Sequence, residues 1–245
     1  MGQVITVVSG KGGTGKSSFV SLVGAALARL GKKTLVLDCD IGLRNLDLYL
    51  GVSDRTLMDF SDVIDGRATL AQAAVRHPDI PNLYLLTAPV SRRSAIRSAD
   101  FAALLREIRE EFDFCLIDAA AGLGSLFRLA TEHADRAIVV ATTEPSSLRD
   151  AQRTVMELNA FPSGRLHLVV NRVRRKLLKS LHGTIDDAID AAGLPLLGVV
   201  PEDENVPAWL GRGELARFDG YSGASRACRN IAQRLCGVRV RLMKL

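Results

Sequence analysis

No stretch of this chain approaches the roughly 18–20 consecutive apolar residues that a membrane-crossing helix needs, although 47% of its 245 residues are hydrophobic. Cysteine is scarce: Cys39, Cys115, Cys228 and Cys236 form no Cys-x-x-Cys pair, and His77, His133, His167 and His182 are scattered without ligand spacing. These absences argue against a zinc or iron–sulfur centre. Cys39 and Cys115 fall within strand patterns and read as buried thiols of a reducing cytosol. No internal repeat, low-complexity tract or linker divides the chain, so its length reads as one large domain with a substantial core. The opening residues Met1-Gly2-Gln3-Val4-Ile5 run directly into a strand pattern, leaving no room for a signal peptide before it; a cytoplasmic protein is expected. A net charge of +5 and a pI near 9.2 permit an anionic partner (nucleic acid, lipid headgroups or a nucleotide) without choosing among them.

What is present is an alternation. Short, nearly continuous apolar runs at residues 4–8, 33–37, 82–86, 114–118, 136–141, 166–171 and 196–201 read as strands. Helical spacing separates them at 16–30, 56–65, 69–76, 98–112, 146–159, 184–192 and 222–236, with Phe101, Leu104, Leu105, Ile108 and Phe112 on one face of the fourth. Strands apolar throughout are strands covered on both faces, so the expected fold is α/β, a single domain with a mostly parallel central sheet flanked by helices on both sides. The domain is expected over residues 1–236, followed by a short basic-apolar tail at 237–245. Ligands of such sheets sit at the carboxyl ends of the strands.

The first of those ends carries Gly10-Lys11-Gly12-Gly13-Thr14-Gly15-Lys16-Ser17, strand before and helix after, with the Gly-x-x-x-x-Gly-Lys-Ser spacing of a phosphate-binding loop. Glycines let backbone N–H groups wrap phosphate oxygens, and the helix N-terminus adds its positive end. Lys16 is suited to neutralise the β- and γ-phosphates, and the Ser17 hydroxyl to ligate Mg²⁺. Residues Gly10, Lys11, Gly12, Gly13, Thr14, Gly15, Lys16, Ser17 and Ser18 are therefore expected to hold ATP or ADP. Asp118 ends an apolar strand as a Walker B aspartate does, reaching Mg²⁺ through a water. Asp38 and Asp40 end the strand after the loop helix; Asp38 is expected in the metal shell and Asp40 on the attacking water. No Glu or His stands out as a general base, which suits slow hydrolysis by positioning and charge stabilisation.

Lys11 is surplus to an ordinary phosphate loop, and Lys-Gly-Gly-x-Gly-Lys-Ser resembles the deviant Walker A ATPases. The segment Asp38-Cys39-Asp40-Ile41-Gly42-Leu43-Arg44-Asn45-Leu46-Asp47-Leu48 is similar to switch I of the MinD branch of that MinD/ParA family, the septum-site-determining ATPases. The similarity continues through Asp59-Phe60, Asn82-Leu83-Tyr84-Leu85-Leu86, Ser146-Ser147-Leu148-Arg149-Asp150 and Gly198-Val199-Val200-Pro201-Glu202-Asp203, across roughly residues 3–235. The resemblance implies an ATP-sandwich homodimer in which Lys11 reaches the partner's phosphates, making Lys11, Lys16 and Asp40 the catalytic set. It implies adenine contacts from Asn171, Arg172 and the loop at Pro201, Glu202 and Asp203, with Asp150 near the dimer interface. It further implies ATP-dependent attachment to an anionic membrane surface on the inner face of the cell membrane, recruitment of a MinC-like division inhibitor, and a MinE-like topological partner. Two departures stand out. The family's Asp-Ser-Pro-Ala-Gly is Asp118-Ala119-Ala120-Ala121-Gly122 here, which puts switch II rigidity and activation by a MinE-like partner in question. In the tail, Ile231, Leu235, Val238, Leu242 and Leu245 share one helical face with Arg234, Arg241 and Lys244 beside it, yet Gly237 interrupts and 238–242 also alternates like a strand. The readings are a membrane anchor or a frayed end packed on the domain. The run Arg172-Val173-Arg174-Arg175-Lys176 lacks interleaved aromatics and reads as a solvated loop rather than a nucleic-acid contact. The competing output is a flagellar-number regulator or a partition ATPase that acts on DNA and not through membrane.

Overall fold

In the computed structural model, residues 1–42, 44–91, 95–162, 164–174 and 185–243 are described. Eight strands form one sheet in the order β3-β4-β2-β5-β1-β6-β7-β8: β1 (Gln3–Val8), β2 (Thr34–Asp38), β3 (Val75–Arg76), β4 (Leu83–Leu86), β5 (Phe114–Asp118), β6 (Arg136–Ala141), β7 (Leu166–Val173) and β8 (Leu196–Pro201). All neighbours run parallel except the edge pair β3–β4. Successive side chains of a strand point to opposite faces, and β1 shows what that requires. Val4 and Val8 enter one core, Ile5 and Val7 the other, and all four are fully buried.

The first core is closed by α3 (Phe60–Ile64), α4 (Leu70–Ala73), α5 (Ser98–Glu111), α6 (Ser125–Glu132), α7 (Pro145–Glu157) and α8 (Ile185–Ala192). The second is closed by α1 (Lys16–Arg29), α2 (Leu46–Leu50), α9 (Asn205–Leu210) and α10 (Gly223–Leu235). None of the described helices is long and apolar enough to cross a membrane.

The expected strands and the long helices are present within a residue or two. Three short helices, α2, α6 and α9, escape the periodic reading because five to eight residues hold too few turns to show a period. Two expected helices are cut short: residues 56–65 are helical only over α3, which starts after the Asp59 cap. Residues 69–76 are helical only over α4, after which Val75 and Arg76 pair antiparallel with Leu85 and Tyr84, a tertiary contact outbidding a local pattern. The tail also differs from its helical reading. Helix α10 stops at Leu235, where Gly237 at φ +82° closes a Schellman turn. There the Gly237 N–H donates to the Arg234 carbonyl and the Val238 N–H to the Gln233 carbonyl, both at 2.9 Å. Val238, Leu242 and Arg241 therefore do not continue the helical face of Ile231 and Leu235. Leu43, Arg175, Lys176, Lys244 and Leu245 lie outside the described residues.

Candidate nucleotide-binding site

Parallel pairing sets the chemistry at the carboxyl edge of the sheet. The β2–β5 register places Asp38 opposite Asp118, and β1 between β5 and β6 delivers the loop 9–15 beside them. Gly13 and Gly15 take φ of +82° and +81°, a left-handed backbone that side chains resist. At Gly10 the constraint is space: a Cβ there would lie 2.5 Å from the Asp150 carbonyl oxygen. The loop so formed ends at the N-terminus of α1, where Lys16 is 7% exposed and its ammonium pairs directly with the Asp118 carboxylate.

The structure also shows what holds the loop from behind. The Asn171 Nδ2 donates to the Thr14 carbonyl at 2.8 Å and lies 3.4 Å from that of Gly15. Arg172, itself at φ +56°, donates to the Gly13 carbonyl at 3.0 Å and pairs with Glu202, which also pairs with Arg174. These residues close one side of a cavity of about 440 Å³ lined by Gly15, Ser18, Phe19, Asn171, Arg172 and Pro201, which Glu202 and Asp203 also border. The Asp203 carboxylate accepts from the backbone N–H groups of Asn205 at 3.0 Å and Ala224 at 3.1 Å, tying the start of α10 to the end of β8. The surplus Lys11 turns away from Lys16, donating to the Ser146 hydroxyl at 2.8 Å and to the Glu144 carboxylate at 3.2 Å. Glu144 went unnoticed in the sequence. Its signal was its place just beyond the carboxyl end of β6.

Three acids meet here with different electrostatics. Burial, then the Asp118 charge, pushes the Asp38 carboxyl up to about 6, against the pull of backbone N–H bonds from Asp40, Leu46 and Asn45. Burial also raises Asp40, with Lys16 opposing and Asp118 reinforcing. Crowded carboxylates of this kind call for a cation. Among the described residues no three His, Cys, Asp or Glu side chains gather into a metal cage. A hydroxyl at Ser17 with Asp38 and Asp118 is an all-oxygen, incomplete donor set, which fits Mg²⁺ completing its shell with phosphate and water.

Residues 5–216 match the model of the CobQ/CobB/MinD/ParA nucleotide-binding domain. The septum site-determining protein MinD of Bacillus subtilis is 39% identical over 252 residues, covering 100% of this chain and 93% of its own. The chain belongs to the MinD family of ATPases. MinD of Synechocystis sp. is likewise 39% identical, over 97% of this chain and 90% of its own. Among solved structures, MinD in the MinC:MinD cell division complex of Aquifex aeolicus superposes with a TM-score of 0.91 at 34% identity, over 99% of this chain and 98% of that one. MinD of Pyrococcus horikoshii, complexed with Mg-ADP, gives 0.82 at 29% identity over 96% of each chain.

Proposed function

We propose that this MinD-family ATPase is a dimerising switch that attaches to the inner membrane surface with ATP bound, recruits a division inhibitor for septum-site placement, and is reset by slow Mg²⁺-dependent hydrolysis. One observation carries the reading: a glycine loop whose Lys16 faces Asp118, with a second cation, Lys11, outside it on Glu144 and Ser146. Lys16 then exchanges Asp118 for the β- and γ-phosphates. Asp118, so released, and Asp38 and Ser17 hold Mg²⁺, which neutralises phosphate charge when bound. Asp40, partly open to solvent, orients the attacking water. Gly10 to Ser18 cradle the phosphates, while Asn171, Arg172, Pro201, Glu202 and Asp203 border the base. Lys11 leaves Glu144 and Ser146 to reach the partner subunit's phosphates, so dimerisation and catalysis share one residue.

MinC is the partner in the Aquifex aeolicus complex, which supports a MinC-like inhibitor here. The tail 237–245 supplies Val238 and Leu242, both about half exposed, as lipid-facing side chains beside Arg239 and Arg241. Each aliphatic insertion gains on the order of 1.5–3 kcal/mol, ordering costs about 1–2 kcal/mol per residue, and each basic residue adds about 1 kcal/mol near anionic lipid. One tail is marginal, and two on a dimer gain avidity. Co-sedimentation with anionic vesicles in Mg-ATP and Mg-ADP, for the full chain and a truncation ending at Cys236, tests this. Binding in ATP alone, lost on truncation, is expected; absence of binding in both nucleotides would refute the membrane output.

A further inference from the structure

Beyond the turn at Gly237 the chain folds back on its own domain. Arg234, half-buried on the last turn of α10, donates from Nε to the Val240 carbonyl at 3.1 Å and from Nη2 to the Arg241 carbonyl at 2.7 Å. Its Nη1 donates to the Leu197 carbonyl of β8 at 2.9 Å. One planar guanidinium thus ties two tail carbonyls to the edge strand of the sheet, a geometry no other side chain reproduces. Past the clasp, Met243 rests partly buried against the core that α1 and α10 close. Gly198 lets the helix come this near: a Cβ there would stand 2.6 Å from Ile231 and 3.3 Å from the Arg234 Nη1. Residues 237–243 therefore form neither a helix nor a free end, but a strap held at two points.

We propose that Arg234 is a clasp that stows the C-terminal tail against β8, so that the tail must be released before Met243 can join Val238 and Leu242 in lipid. This rests on the membrane reading above. Stowed, the tail keeps Met243 on protein and its backbone straight-jacketed by Arg234; inserted, it exchanges those contacts for lipid. Because insertion of one tail is close to balanced, a modest clasp is enough to set whether a monomer stays off the membrane. The clasp also lies at the far end of the β8–α10 pair from the cavity, whose lining includes Pro201, Asp203 and Ala224.

The clasp has a readout that needs no lipid. Trypsin cutting after Arg241 attacks the very carbonyl that Arg234 holds, so cleavage there reports opening of the strap. Arg234→Met keeps the apolar stem and removes every donor. Mass spectrometry of timed digests is expected to show loss of residues 242–245 on the order of tenfold faster in the variant than in the unaltered protein, with vesicle binding now measurable in Mg-ADP. ATP turnover and urea unfolding show that the variant is folded. Equal cleavage rates in folded proteins would overturn the clasp. Faster cleavage with no vesicle binding in either nucleotide would leave the strap contact standing and refute the membrane role assigned to it. Should Arg234→Met not fold, the unaltered chain decides: cleavage after Arg241 slower than after the exposed Arg239 supports the clasp, and equal rates refute it.

Discussion

Asp38 is costly to the fold at a position we propose for the metal shell. Its carboxyl is pushed up to about 6, so the folded protein disfavours the ionised form that an unfolded chain adopts freely above its ordinary value of 3.8. The raised carboxyl therefore leaves stability greatest below about pH 4 and lowers it as pH rises toward about 6, after which the curve is flat. The span corresponds to about 3 kcal/mol. In protein free of nucleotide and magnesium, Asp38→Asn is expected to remove this slope and to be the more stable form near pH 7, while Mg²⁺-dependent ATP affinity falls. Urea unfolding at several pH values, with nucleotide titrations, checks both halves. Asn171 acts differently. It holds loop carbonyls, so Asn171→Ala is expected to raise the KM for ATP on the order of tenfold with little change in kcat; steady-state kinetics reads that split.

The pairing of β8 with α10 depends on the missing side chain at Gly198. A Cβ there meets Ile231 at 2.6 and 2.8 Å, distances that demand movement of a fully buried residue. Gly198→Ala is expected to destabilise the protein by about 1–3 kcal/mol, visible as a lower urea midpoint at unchanged slope. Residues 119–122 are one place where the sequence differs from the pattern it otherwise resembles. Ala119 is buried at the end of β5, and Gly122 turns the backbone at φ +89° before α6. Ala119, Ala120 and Ala121 supply no side-chain hydrogen bonds along that path.

For the whole molecule the quantity to measure is association. The Lys11 side chain bonds Glu144 and Ser146 rather than its own loop, so Lys11→Ala is expected to keep ATP binding within a few-fold while abolishing both ATP-dependent dimerisation and turnover. Analytical ultracentrifugation beside a nucleotide-binding assay separates those effects. With a net charge of +5, vesicle attachment is expected to weaken as salt rises from about 0.05 to 0.3 M; salt-insensitive attachment would mean that apolar insertion alone holds it. The glycine loop, the buried parallel strands and the aspartates at their ends were legible in the chain itself, because each is a local pattern: fixed spacing, continuous apolarity, an acid closing a strand. What those patterns could not reveal is who meets whom. Lys16 finds Asp118, Lys11 finds Glu144 and Asn171 finds Thr14 across separations of 102, 133 and 157 positions. Strand order makes those neighbours, and strand order is set by how the two cores close rather than by any local period. The tail obeyed the same division. Its apolar and basic residues are local facts, but whether they form a helix or a strap was decided by a glycine turn and one arginine reaching the sheet edge.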